Sequence, residues 1–160
     1  DDSGWSTGSG IFGVDTGTFP SPGLQTALNR DSTNNLLTYY FRKEFEFKDD
    51  PIGSMINIEA ILDDGARFWI NGQEITRVRL PAYPEEVNWK TRATSNVPFR
   101  DEKKLLQIAS VDGSGFLVEG KNVCAIDLHN SSPGSPVLVN WLAAAVREMD
   151  RRLARVEGYV

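Results

Sequence analysis

Two tight-turn dipeptides, Asp64-Gly65 and Asn71-Gly72, bracket a short aromatic and β-branched run. Both dipeptides favour type I′ hairpin turns, because both central residues need a positive φ that Gly, Asn and Asp tolerate best. The pattern therefore predicts a three-stranded antiparallel meander over residues 55–62, 66–70 and 73–78. A chain organised around such a meander is a β-protein.

A second strong strand signal precedes the meander. Aromatic residues alternate with polar ones over residues 37–47, which predicts a strand with one buried face. We expect further strands at residues 103–110, 116–118, 123–128 and 137–141. Residues 25–35 and 80–98 are predicted to be loops, and the second of these is long enough to be functional or to pack on itself.

Length and charge exclude several classes of protein. The 160 residues suit one domain, and 17 basic against 22 acidic residues give a net charge of −5 without a concentrated basic run, so we expect no nucleic acid partner. No apolar run reaches ~20 residues, so we expect no membrane insertion. The single cysteine, Cys124, excludes an intrachain disulfide and is predicted to be a small buried hydrophobe. Because the chain begins at Asp1, we expect it to be part of a longer protein.

The C-terminal residues change period. Apolar residues recur at spacings of 4, 3, 4 and 3, the stripe of a heptad seam, at Leu142, Val146, Met149, Leu153 and Val156. The spacing predicts a helix over residues 142–157 that joins copies of the chain into a homotrimer. The alternative is a helix that lies against its own sandwich.

Several segments together are similar to a known module. They are residues 38–43 with Asp50-Pro51, the Asp63-Asp64-Gly65 and 71–75 turns, and residues 118–123 with 127–132. In this order they resemble the galactose-binding-like jelly-roll domains of large bacterial extracellular proteins. The resemblance implies an all-β, antiparallel two-sheet sandwich over residues 37–141, preceded by an irregular arm at 1–36. A sandwich followed by a seam helix also resembles the modules of phage tail fibres.

Candidate sites are few. Asp63 and Asp64 could supply carboxylate oxygens to Ca²⁺, but the pattern favours the alternative, a turn in which Asp caps backbone amides. His129, the only histidine, is followed by Asn130, and both are candidate ligand-binding residues. The alternative for His129 is a structural histidine bonded to loop backbone.

Aromatic residues could stack on sugar rings, because their faces offer apolar area with a polar rim. Trp89 and Tyr83 in the 80–98 loop are the ligand candidates, whereas Trp69 is predicted to lie in the core. These patterns favour a non-enzymatic structural or adhesion module on a virion or cell-surface appendage, with a cell-surface glycan as possible partner. The alternative is an accessory carbohydrate-binding domain of a secreted bacterial hydrolase. A small hydrolase using His129 and nearby acids is a third hypothesis.

Overall fold

The computed structural model describes residues 3–14, 23–28, 36–98, 101, 104–133, 135 and 137–147. Within these ranges the chain forms strands and no helix. The strands are β1 (Phe12–Val14), β2 (Thr26–Ala27), β3 (Thr38–Phe47), β4 (Ser54–Asp63), β5 (Gly65–Ile70), β6 (Gln73–Val78), β7 (Leu106–Asp112), β8 (Gly120–His129) and β9 (Val137–Arg147). No helix in the described ranges is long and apolar enough to cross a membrane.

The strands form two sheets. The five-stranded sheet has the order β2-β1-β9-β4-β7, and the four-stranded sheet has the order β3-β8-β5-β6. The β1–β2 pair is parallel, and the other described pairs are antiparallel. The predicted all-β fold with antiparallel sheets is therefore confirmed.

One apolar core joins the two sheets. Alternate residues of β4 meet alternate residues of β3, β5 and β8, as the period-2 side-chain pattern of strands requires. Cys124 is among them and is buried, as predicted. The large apolar side chains of this core are Ile56, Ile58, Leu62, Phe41, Phe47, Phe68, Ile70, Ile126 and Leu128.

The predicted meander is only half right. Asn71 and Gly72 have φ values of 50° and 80° and close the β5–β6 hairpin as expected. However, β4 pairs with β7 and β9, whereas β5 pairs with β6 and β8. At Asp63-Asp64 the chain therefore passes from one sheet to the other, and the hairpin predicted there is wrong.

Gly65 is required at this corner by crowding. A Cβ on Gly65 would lie 2.6 Å from the backbone oxygen of Arg79 and 3.1 Å from that of Val78. The end of β6 and the start of β5 approach so closely that only hydrogen fits between them. The sequence pattern predicted that glycine is required here, but it predicted a hairpin turn as the cause, whereas the cause in the structure is crowding.

The last strand corrects the C-terminal prediction. β9 continues through Arg147, and Leu142 and Val146 are paired with Glu59 and Met55 of β4. The predicted helix is therefore wrong over residues 142–147, and these two seam positions belong to a sheet. Met149, Leu153 and Val156 lie outside the described residues. The homotrimer stays a prediction.

Three smaller predictions of strand positions also differ from the structure. Residues 116–118 are the end of a turn and irregular backbone and not the predicted strand, and β7 covers 106–112 where 103–110 was expected. A short strand, β2, lies within the loop predicted at 25–35. These shifts occur where strands are short or end in Gly-rich turns, and there the alternation of side chains is too brief to fix a boundary.

The crowding at Gly65 gives a stability prediction. Gly65→Ala is expected to lower the free energy of unfolding by about 2 kcal/mol or more, because the new methyl group would overlap backbone oxygens that cannot rotate away. Urea unfolding followed by tryptophan fluorescence measures the change. Gly115→Ala is the matched control, since nothing lies within 4 Å of its Cβ position. Equal stability of the two variants would contradict the crowding.

Candidate functional site

Polar and aromatic side chains cross the outer face of the four-stranded sheet in two rows. In the first row, the register aligns Tyr40, Asp127, Arg67 and Arg77 on four successive strands. Their sequence neighbours Phe41, Phe68 and Ile126 point into the core. The second row aligns Arg42, Ala125, Trp69 and Glu74 in the same strand order. Strand alternation thus exposes one set of side chains while it buries the other.

Asp127 is the hub of the first row. Its Oδ2 accepts hydrogen bonds from Arg67 Nε at 2.8 Å, Arg67 Nη2 at 2.5 Å and His129 Nε2 at 3.0 Å. Its Oδ1 accepts one from Trp69 Nε1 at 2.8 Å. The carboxylate side chain is only 4% exposed.

The electrostatics of Asp127 follow from these bonds. Burial alone would raise the pKa of Asp127, but hydrogen bonds from His129, Arg67 and Trp69 outweigh it and hold the pKa below its usual range. Asp127 is therefore a carboxylate in the folded protein, and its charge is balanced by Arg67.

Arg67 also orders the second row. Its guanidinium carbon lies 4.8 Å from the centroid of the Trp69 ring, a cation–π distance. Its Nη1 is 3.8 Å from Oε2 of Glu74, which is itself paired with Arg77 at 2.6 Å. Trp69 is thus half-buried on the outer face, and the prediction that it lies in the core is wrong.

A cavity of about 300 Å³ opens above these rows. Its floor is made by small and apolar residues, Gly72, Val123 and Ala125, and Trp69, Tyr40 and Arg42 line it as well. Trp5, which precedes β1, also lines the cavity and is 50% exposed. The indole rings of Trp5 and Trp69 and the phenol of Tyr40 therefore surround a shallow floor that a flat ligand could approach.

The 80–98 loop is fastened to one end of this sheet. The backbone oxygen of Thr91 lies 2.8 Å from Nδ1 of His129, and the Thr38 hydroxyl donates to the backbone oxygen of Trp89 at 2.9 Å. The Ala93 amide donates to the backbone oxygen of Asn130 at 3.1 Å. His129 thus connects the loop to Asp127.

Asp64 fastens the other end of the loop. Its Oδ1 accepts the Val97 amide at 2.9 Å and its Oδ2 accepts the Ser131 amide at 2.8 Å. Burial would raise the pKa of Asp64, but hydrogen bonds, among them those two amides, hold it below its usual range. The described residues contain no group of three or more His, Cys, Asp or Glu that could hold a metal ion. Calcium binding by Asp63 and Asp64 stays a prediction, and in the structure Asp64 bonds backbone amides.

The other candidates differ in their exposure. Tyr83 and Trp89 are 83% and 62% exposed, but neither is among the residues that line the cavity. His129 and Asn130 are buried, and His129 bonds loop backbone through Nδ1 as the structural alternative proposed. Two of the four predicted ligand-binding residues are therefore exposed and two are buried, and ligand binding by these residues stays a prediction.

The sequence did not identify the cavity residues because their sequence pattern was weak. Tyr40 and Arg42 stood out only as the polar side of an alternating strand, and Trp5 only as an anchor of an irregular arm. Arg67 and Trp69 share a face opposite to Phe68 and Ile70. That alternation could have placed them outside the core if the apolar pair had been assigned to the inside first.

Comparison with known proteins gives two distant structural likenesses. No family model matches the chain, and no curated protein sequence matches it. A crystal structure of a glycosyl hydrolase family 2 member from Bacteroides cellulosilyticus aligns with a TM-score of 0.36 and 12% identity over 66% of this chain. A family 2 member from Bacteroides cellulosilyticus DSM 14838 aligns with a TM-score of 0.35 and 15% identity over 80% of this chain. The chain spans 12% and 19% of those two chains, and neither likeness assigns it a family or an activity.

The buried carboxylates give a pH prediction. Because the folded-state pKa of Asp127 lies below its ordinary value of 3.8, the unfolded chain binds more protons in acid. The stability that Asp127 contributes is therefore fully present above about pH 4 and is lost as the pH falls through the lower folded-state pKa. Asp127→Asn should lose about 3–5 kcal/mol at neutral pH, since Arg67 is left without its carboxylate, and should depend less on pH in acid.

Urea unfolding between pH 2.5 and 7 measures both effects. Asp49→Asn, an exposed carboxylate beyond the end of β3, is the control and should follow the wild type. An Asp127→Asn variant with the acid dependence of the wild type would show that other groups control the transition.

Proposed function

We propose that this domain is a non-enzymatic carbohydrate-binding module that holds a glycan in the cavity on the outer face of the four-stranded sheet. One observation carries the proposal: Trp5, Trp69 and Tyr40 line one cavity together with the small residues Gly72, Val123 and Ala125. Tyr40 and Trp69 are held on strands, so their rings give up little conformational freedom when they bind a ligand, and this part of the surface is preorganised.

Size and lining support a small-ligand site. The volume of about 300 Å³ lies at the lower end of the range of roughly 300–1,000 Å³ found for ligand pockets. Aromatic walls with a few polar groups suit a sugar ring, whose C–H face is apolar and whose edge carries hydroxyls. The small cavity therefore favours one ring, such as the end of a glycan, over a long stretch of polysaccharide.

Polar groups at the rim support the same proposal. Burial, and after it the charge of Asp127, raises the pKa of the Tyr40 phenol above its ordinary value, so its hydroxyl keeps its proton and can donate. The guanidinium groups of Arg42 and Arg67 also line the cavity. These donors can bond sugar oxygens while the rings contact the apolar face.

The position of His129 favours a binding role over hydrolysis. The His129 ring is 0% exposed, and its two nitrogens contact Asp127 and the 80–98 loop. The ring therefore stabilises the fold. General acid or base catalysis needs a group within hydrogen-bond reach of the substrate. A ligand in the cavity would meet Arg67 and Trp69 before it met His129.

Of the two contexts that the sequence predicted, we favour the alternative, an accessory carbohydrate-binding domain of a secreted bacterial hydrolase. The fibre hypothesis depended on a seam helix, and residues 142–147 of that seam are strand. The galactose-binding-like jelly roll remains part of this proposal, as does the extracellular location. Light scattering at micromolar concentration measures whether the chain is a homotrimer.

Two exposed tryptophans provide the test of the site. We expect Trp5→Ala to weaken glycan binding about tenfold, because loss of one stacking ring removes about 1 kcal/mol beyond its buried area. Trp89→Ala is the matched control, since Trp89 is similarly exposed but lies outside the cavity lining. A glycan array followed by calorimetry on the best ligand measures both variants.

The results for the two variants distinguish a site in the cavity from a site on the 80–98 loop. Loss of binding with Trp89→Ala alone would move the site to the 80–98 loop, as the sequence first suggested. A wild type that binds no saccharide on the array would overturn the proposed function.

A further inference from the structure

The cavity holds few acceptors for the hydroxyl hydrogens of a neutral sugar. Asp127 is the only carboxylate among the described residues that line it, and it already accepts four hydrogen bonds. Its side chain is 4% exposed, so a ligand reaches the groups around it and not the carboxylate itself. Arg and Trp side chains only donate, which leaves the Tyr40 oxygen as the side-chain acceptor at the rim.

Donors, in contrast, face the cavity. Arg67 Nη1 lies 3.8 Å from Glu74, too far for a hydrogen bond, so this nitrogen can donate to a ligand while Nε and Nη2 hold Asp127. Arg42 lies 3.6 Å from Glu44, which is bonded more tightly to Lys121 at 2.8 Å. The Arg42–Glu44 distance is longer than a hydrogen bond, so a ligand acceptor could replace that ion pair.

The charge of the cavity is opposite to that of the chain. Arg42 and Arg67 against Asp127 leave a formal charge of +1 on the lining, whereas the whole chain carries −5. A guanidinium group matches the geometry of a carboxylate or sulfate with two parallel hydrogen bonds. A positive patch on an acidic protein also draws anions to one place on its surface.

We infer that the glycan is acidic, with a carboxylate or sulfate on the sugar that enters the cavity, and that Arg42 selects it. This inference rests on the proposed function. The aromatic rings hold the apolar face of the sugar, and Arg42 with Arg67 Nη1 bonds the anionic group at its edge. Arg67 is fixed by Asp127, so Arg42 is the arginine that can be changed without breaking the buried network.

The test uses sugars matched in all but charge. An oligogalacturonide and its carboxyl-reduced counterpart share linkage and length, and an array of uronate-containing and sulfated saccharides with neutral partners extends the comparison. We expect the acidic member of a pair to bind at least tenfold more tightly at 50 mM NaCl, with the difference shrinking at 300 mM. Calorimetry measures each Kd.

Variants assign the selection to Arg42. Arg42→Gln should lose about tenfold in affinity for the acidic sugar and leave the neutral sugar unchanged, and Arg42→Lys should be intermediate. Lys104→Gln removes a positive charge immediately before β7, away from the cavity, and should bind like the wild type. Thermal melting confirms that each variant is folded.

Three results would overturn the inference. Equal binding of the acidic and neutral members, with Trp5→Ala still losing affinity, would reject an acidic ligand and keep the carbohydrate-binding function. An equal loss of both sugars with Arg42→Gln would reject Arg42 as the selecting residue. Failure of the wild type to bind any saccharide would reject the proposed function itself.

Discussion

A single buried carboxylate organises the outer face of this sandwich. Asp127 bonds two side chains on the neighbouring strand β5 and one on its own strand, and it does so at the point where three strands lie side by side. Burying a charge costs several kcal/mol of folding free energy unless hydrogen-bond donors surround it. Movement of a donor away from Asp127 is therefore unfavourable, and this holds each donor in place. The orientation of Arg67, Trp69 and His129 is a consequence of that constraint.

The network also connects the face to the long loop. His129 contacts Asp127 with one ring nitrogen and the Thr91 backbone oxygen with the other, and Thr38 donates to the Trp89 backbone oxygen in the same turn of the loop. Asp64 performs the corresponding role at the corner between the sheets, where its two oxygens accept amides from distant segments. A loop without regular structure is thus fixed by two buried carboxylates. Asp64 accepts backbone amides that would otherwise need water, and Asp127 acts through His129.

The same packing separates the aromatic residues into two groups. Trp69 and Tyr40 lie on strands, so their rings keep a fixed distance set by the spacing of the sheet. Tyr83 and Trp89 lie on the loop and are more exposed, and each has a cation near its ring, Arg77 and Lys90 respectively. Rigid rings above a floor of Ala125 and Val123 make a shaped surface, whereas the loop rings stand apart from it.

The sequence by itself determined the β class, the β3 strand, the Asn71-Gly72 hairpin and the burial of Cys124, because each depends on neighbours within a few residues. It could not determine that the chain changes sheets at Asp63-Asp64, since a hairpin and a crossover both use turn residues. The apolar spacing from Leu142 to Val146 also suits a helix or a strand, and only pairing with β4 decided between them. Tyr40, Arg67 and Asp127 are brought together by strand register, which places residues far apart in the chain on one face, and Trp5 reaches the same cavity from the segment before β1. The site is therefore a product of tertiary structure, for local pattern carries no information about which strands become neighbours.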